Sequence, residues 1–182
     1  MTFEVSSFGT LSMMYRWLRA GHARRHVANF YGVSDSVLES WLHSIVYVRN
    51  ICAHHSRLWN RRLSINALVP RRTSLPFVTI PSDTKKVYYV LSIILYFLQT
   101  INPNNTFVTR FKSLLAKYPS VNVAAMGFPS SNWQDEPLWS TRWRSQGLSQ
   151  KRKDGVVRTH LISAHRKQFL PRIIGTCTTD SR

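Results

Sequence analysis

The chain has 182 residues, 43% of them hydrophobic, with six tryptophans, which is enough for one domain with a sizeable core and excludes a wholly disordered chain. Its 25 Lys and Arg against 8 Asp and Glu give a formal charge of +17, which points to nucleic acid or another anionic surface as the partner. With so few carboxylates, chemistry that depends on paired acids or on two bridged metal ions is disfavoured.

The charge is not confined to one end. Residues 1–139 hold 15 Lys and Arg and 6 Asp and Glu, and residues 140–182 hold 10 and 2, so the body is basic without its tail. Bases and aromatics interleave at Tyr15-Arg16-Trp17 and at Arg57-Leu58-Trp59-Asn60-Arg61-Arg62, a mixture suited to RNA, whose phosphates and exposed bases both need partners. The same mixture also fits a solvated face over core aromatics. Cys52 and Cys177 form no disulfide framework and suit a reducing compartment. The opening Met1-Thr2-Phe3-Glu4-Val5 has no basic leader region, so a cytoplasmic protein is expected. The most apolar run, Val87–Leu98, has 12 residues, short of the roughly 20 that span a bilayer, and no membrane partner is expected.

Apolar residues at three-to-four spacing (Val5, Phe8, Leu11, Met14, Tyr15, Leu18) predict a helix over residues 4–20, stopped by Gly21. A short helix over 22–31 follows, closed by Gly32. The third helix starts after an N-cap at Ser34, with no capping box because Val37 stands at the box position. Its stripe is Leu38, Trp41, Leu42, Ile45, Val48 and Cys52, and it is expected to reach about Trp59. Pro70, Pro76 and Pro81 break residues 62–82 into a long basic loop, with an extended piece at Phe77–Ile80. The fourth helix, 83–101, is apolar nearly all round and so needs burial, against this chain or a second copy. A fifth runs from a cap at Asn105-Thr106 to Tyr118-Pro119. Residues 120–139 read as loop and turns anchored by Trp133 and Trp139. The last 43 residues change character: the apolar periodicity is poor after Leu148, and a charge run, Lys151-Arg152-Lys153-Asp154, appears. The division expected is a helical domain over 1–139 and a basic tail over 140–182, disordered or foreign to the domain; a basic RNA-binding extension is the alternative.

The end of the third helix carries the chemistry. Arg49-Asn50-Ile51-Cys52-Ala53-His54-His55 sets a permanent guanidinium beside an amide and an imidazole. Arg stabilises added negative charge on a phosphate, and His moves a proton near neutrality. RNA brings its own nucleophile, the 2′-hydroxyl, so these groups suffice for cleavage without a metal or other cofactor. With each helical residue turning by about 100°, Arg49 and His54 point about 140° apart, whereas Asn50 and His54 share a face. One helix cannot comfortably bring both onto one phosphate, which favours a site shared by two copies, held together by the fourth helix and by Trp41, Ile45 and Val48. In this reading His54 is the acid or base, Arg49 stabilises the phosphorane, Asn50 orients His54 or the phosphate, and His55, Arg57, Arg61 and Arg62 contact RNA. The plainer alternative makes Arg49 a salt-bridge partner, as to Glu39 of a second copy, and His54 a cation on the helix dipole. Cys52, His54, His55 and His43 lack zinc-ligand spacing, and no glycine-rich phosphate loop or Gly-x-Ser-x-Gly elbow is present.

The run from Leu42 to Arg61, with Arg49-Asn50-x-x-x-His54 inside it, resembles the Arg-x4–6-His signature of the HEPN superfamily of ribonucleases, and more closely the abortive-infection (Abi) family, AbiD/AbiF-like group, of bacterial phage-defence proteins. Ser7–Ser12, Tyr88–Leu91, and Ala125–Pro129 through Trp133 and Pro137–Trp139 match in order, so the resemblance covers residues 3–139. It implies an all-α, HEPN-like helical bundle. Family members carry a helical region before the segment that here begins at Ser7, so the bundle is expected to be incomplete at its N-terminus. The resemblance further implies a head-on homodimer with paired Arg and His, an RNA substrate, toxin–antitoxin behaviour and a small noncoding RNA as regulator. The rival expectations are a non-catalytic RNA-binding protein of the same defence system and a truncated, inactive remnant.

Overall fold

In the computed structural model, residues 7–78, 83–129 and 133–140 are described. They form five α-helices and no strand: α1 (Phe8–Trp17), α2 (His22–Phe30), α3 (Asp35–Ala53), α4 (Val87–Ile101) and α5 (Phe107–Lys117), followed by a 3-10 turn at Ala124–Met126. The all-α class expected from periodicity is the class observed. The tail from residue 141 onward, and Thr79 and Ile80 of the expected extended piece, lie outside the described residues; Phe77 and Val78 are not in a strand. No helix among the described residues is long and apolar enough to cross a membrane.

Helix starts follow local capping chemistry. The Ser7 hydroxyl accepts the Thr10 amide at α1, and the Ser34 hydroxyl accepts the Val37 amide at α3, each satisfying a donor that the first helical turn leaves open. Four boundaries differ from expectation by three residues or more, the first being the start of α1 at Phe8, after its Ser7 cap, in place of residue 4. The first helix ends at Trp17. The fourth begins at Val87, because Asp83 caps a turn through the Lys85 amide. The third stops at Ala53, six residues before Trp59.

α3 is the hub, packed on α1, α2 and α4. Its Leu38 and Trp41 are wholly buried, with Trp41 stacked on Phe77 and edge-on to Tyr96 and Phe97. Arg24 of α2 pairs with Asp35 and Glu39 of α3, and Arg16 of α1 reaches Glu39 as well. α4 is buried within this one chain: Val87, Tyr88, Tyr89, Val90, Ile93, Leu95 and Tyr96 are each at most 1% exposed. Of the surface expected to hold two copies together, Trp41, Val48 and these α4 side chains are spent on the chain's own core, whereas Ile45 and the Leu91, Ile94 and Leu98 side of α4 stay half-buried. Exposed large apolar groups are spread over the surface, with Trp17 of α1, Ile101 at the end of α4 and Phe30 of α2 the most exposed.

Trp133 and Trp139 are buried and anchor the turns that follow α5, as expected. Trp139 is fully buried, stacked on Tyr88 and in ring contact with Phe128 and Trp133. The basic loop after α3 is pinned at Leu68: the Ser40 hydroxyl accepts its amide, while the Trp41 indole and the Tyr89 hydroxyl both donate to its carbonyl, at 2.9 and 3.0 Å.

Candidate functional site

α2 and α3 end by the same hydrogen-bond pattern with different residues. At α2, Gly32 takes φ +65°, its amide donates to Asn29 and the Val33 amide to Ala28. This is the Schellman closure, in which a left-handed residue lets two amides reach back to orphan carbonyls. Glycine suits it doubly, since a Cβ there would run into Ser74. At α3 the His55 amide donates to Cys52 and the Ser56 amide to Ile51, both at 3.0 Å. The left-handed residue is His55, at φ +51°. A β-carbon in that region is strained, and such strain gathers at functional sites. Asn60, also at positive φ, bends the chain again at the far side of the loop.

This closure corrects the expected position of His54. It is the C-cap of α3, not an interior residue of a helix reaching Trp59. Its amide still donates to the Asn50 carbonyl at 3.0 Å, so its backbone keeps helical register with Asn50 while the chain turns away at His55. Arg49, Asn50, His54 and His55 are all exposed. The Arg49 guanidinium donates to the Asn50 side-chain oxygen at 3.1 Å, so Asn50 orients Arg49 here, rather than His54. Glu39, the alternative partner for Arg49, is held by Arg24 and Arg16 of its own chain. Among the described residues Arg49 makes no ion pair.

Beneath this surface Val48 and Ile51 of α3 are buried with Leu63 and Val90, and Leu58 and Tyr47 pack at their edge. Apolar residues at 48, 51, 58 and 63 thus fasten the helix end and the following loop together, leaving Arg57 and Trp59 outward and Arg61 half-buried. Arg62 forms an ion pair with Asp83 at 3.2 Å, which sets it apart from the other arginines expected to meet RNA.

One residue escaped the sequence reading. Tyr47 lies three positions before Asn50 and seven before His54, one stripe of the same helix. Its hydroxyl accepts the Ser64 amide at 3.5 Å and donates to the Ser64 hydroxyl at 3.3 Å. These bonds, and then the nearby Arg61 charge, hold the phenol below its usual pKa. The signal available was the stripe position itself, masked because Tyr47 also reads as an edge residue of the apolar face.

No group of three His, Cys, Asp or Glu among the described residues could hold one metal ion, and Cys52 is exposed and free. The chain matches no curated protein and no solved structure. Residues 1–60 match the family model described as Abi-like protein; the matched third of the chain contains α1, α2, α3 and the whole Arg49–His55 closure, and it supports the resemblance to the Abi family and an association with abortive infection.

Proposed function

We propose that this chain is a metal-independent RNA endonuclease of a bacterial phage-defence system, working as a homodimer of the HEPN kind. The observation that carries the reading is the exposure of Arg49, Asn50 and His54 together at the strained end of α3, inside the Abi-like segment. In the reaction the 2′-oxygen of RNA attacks the adjacent phosphorus and its proton passes to an imidazole. The bond from phosphorus to the 5′-oxygen breaks, and a protonated imidazole returns a proton to that oxygen. The products are a 2′,3′-cyclic phosphate and a 5′-hydroxyl. One His54 serves as base and the His54 of the second copy as acid. Arg49, fixed by Asn50, neutralises the charge that builds on the phosphorane.

The test is incubation of the purified protein with end-labelled RNA in excess EDTA, with analysis of the new ends. Cleavage with cyclic-phosphate ends is expected. Loss of cleavage in chelator with recovery in magnesium would remove the mechanism, and RNA binding without cleavage in either buffer would leave a binding protein in its place.

A further inference from the structure

We infer that Tyr47, Ser64 and Arg61 form a second phosphate subsite, which holds a backbone phosphate of bound RNA beside the one facing Arg49 and His54. The inference rests on reading this surface as an RNA site. The three groups come from different elements. Tyr47 belongs to α3, two turns before His54, while Arg61 and Ser64 stand on the loop that folds back over the helix. That return is enforced, since Leu63 is 2% exposed and its amide donates to the Lys85 carbonyl at 2.8 Å.

The hydrogen bonds are arranged for an anion. The Tyr47 oxygen already accepts the Ser64 amide, so the site for its own hydrogen is the variable one. That hydrogen now points to the Ser64 hydroxyl, 3.3 Å away, a long bond between two groups whose hydrogens rotate freely. A phosphate oxygen at this junction would take both hydroxyl hydrogens and leave the amide bond in place. Arg61 lies close enough to Tyr47 to act on its hydroxyl and supplies the charge that two hydroxyls lack. Asp83 is occupied by Arg62 and accepts the Lys85 amide. From Tyr47 to His54 the helix rises about 10 Å, so a strand that reaches both groups runs along α3 rather than across it. Tyr47 is thus a binding residue for a flanking phosphate and takes no part in proton transfer.

The experiment measures binding of the full chain to a 2′-O-methyl RNA dodecamer, which offers no nucleophile, and to its methylphosphonate analogue, which has the same bases and no backbone charge. Low salt keeps both within range. Tyr47→Phe keeps the ring in its packing and removes only the hydroxyl. It should weaken the phosphodiester probe about tenfold, as for a lost hydrogen bond to a charged group, and cost the neutral probe, which keeps only an uncharged phosphoryl acceptor, much less. Arg61→Ala should do the same and lower the salt slope by about one. An equal loss on both probes would mean that the Tyr47 hydroxyl acts by holding the loop in shape, and an unchanged phosphodiester affinity would mean that the hydroxyl meets no phosphate; either overturns the subsite. Because neither probe can be cut, absence of nuclease activity would sink the catalytic reading and leave this result standing.

Discussion

Trp139 donates its indole hydrogen to the Ser92 hydroxyl at 3.0 Å, deep in the core, and Ser92 in turn donates to the Tyr88 carbonyl at 2.9 Å. A residue 47 positions away thereby closes on α4 and completes the aromatic cluster of Tyr88, Phe128 and Trp133. Trp139→Ala should cost about 3–5 kcal/mol, the usual range for an emptied tryptophan site, read as a fall in urea midpoint. A chain ending at Ser140 should keep the melting temperature of the full chain; unfolding on that truncation would place part of the core beyond residue 140.

His54 and His55 should separate cleanly. His54→Ala should lower cleavage by about 10²-fold or more, as for a lost acid–base group, with the melting temperature unchanged. His55→Gly relieves the left-handed strain and should raise stability by about 1 kcal/mol. Measured together, cleavage should fall more at position 54, and the thermal midpoint should rise only at position 55. A greater loss of cleavage at His55 would identify it as the proton-transfer group.

Mixing an Arg49→Ala chain with a His54→Ala chain tests whether the site is shared. In the mixed dimer one intact Arg and one intact His remain, so one of the two proton transfers keeps its imidazole while water serves the other, and a small part of the cleavage should return above the level of either parent. A protein that sediments as a monomer while still cutting RNA would rule out the shared site.

The buried phenols predict an alkaline limit. Burial pushes Tyr88 up to about 12, and desolvation raises Tyr89, Tyr96 and Tyr31 as well. Below pH 10 both folded and unfolded chains keep these protons. Between the unfolded value near 10 and the raised folded values only the unfolded chain releases them, so stability falls as pH rises, by up to about 1.4 kcal/mol per pH unit for each such group. Melting temperatures measured from pH 8 to 12 should be flat to about 10 and then drop steeply. A flat profile to pH 12 would show that these phenols are not shielded from water.

The helical class and the order of five helices were readable because long apolar stripes at 3.6 spacing survive any tertiary detail. Trp133 and Trp139 were readable as anchors for a similar reason: two large rings in a turn-rich segment have few places to go except the core. The end of α3 was not. Sequence reading looks for Gly or Pro to stop a helix, and it found Gly32 for α2 on that basis. At α3 the same closure is made by His55, a residue that carries no stop signal, and the helix was extended to Trp59. The burial of most of α4 within one chain has a different origin. Periodicity tells that α4 must be covered, and only the packing of Trp139, Phe77 and the Leu63–Leu68 segment tells what covers it. Tyr47 shows a third limit, since its role depends on Ser64, 17 residues away, across a loop whose path no local pattern dictates.

The three bonds at Leu68 have a consequence for amide exchange. Irregular segments usually trade their hydrogens with water readily, because opening them breaks little else. Here the Leu68 amide is closed by Ser40, and freeing it also means releasing the indole of Trp41 and the hydroxyl of Tyr89, both attached to rings sealed in the core. The slowest-exchanging amides should therefore include one with no helix or sheet around it, so that the arm bearing Arg61 and Ser64 opens only when α3 and α4 part.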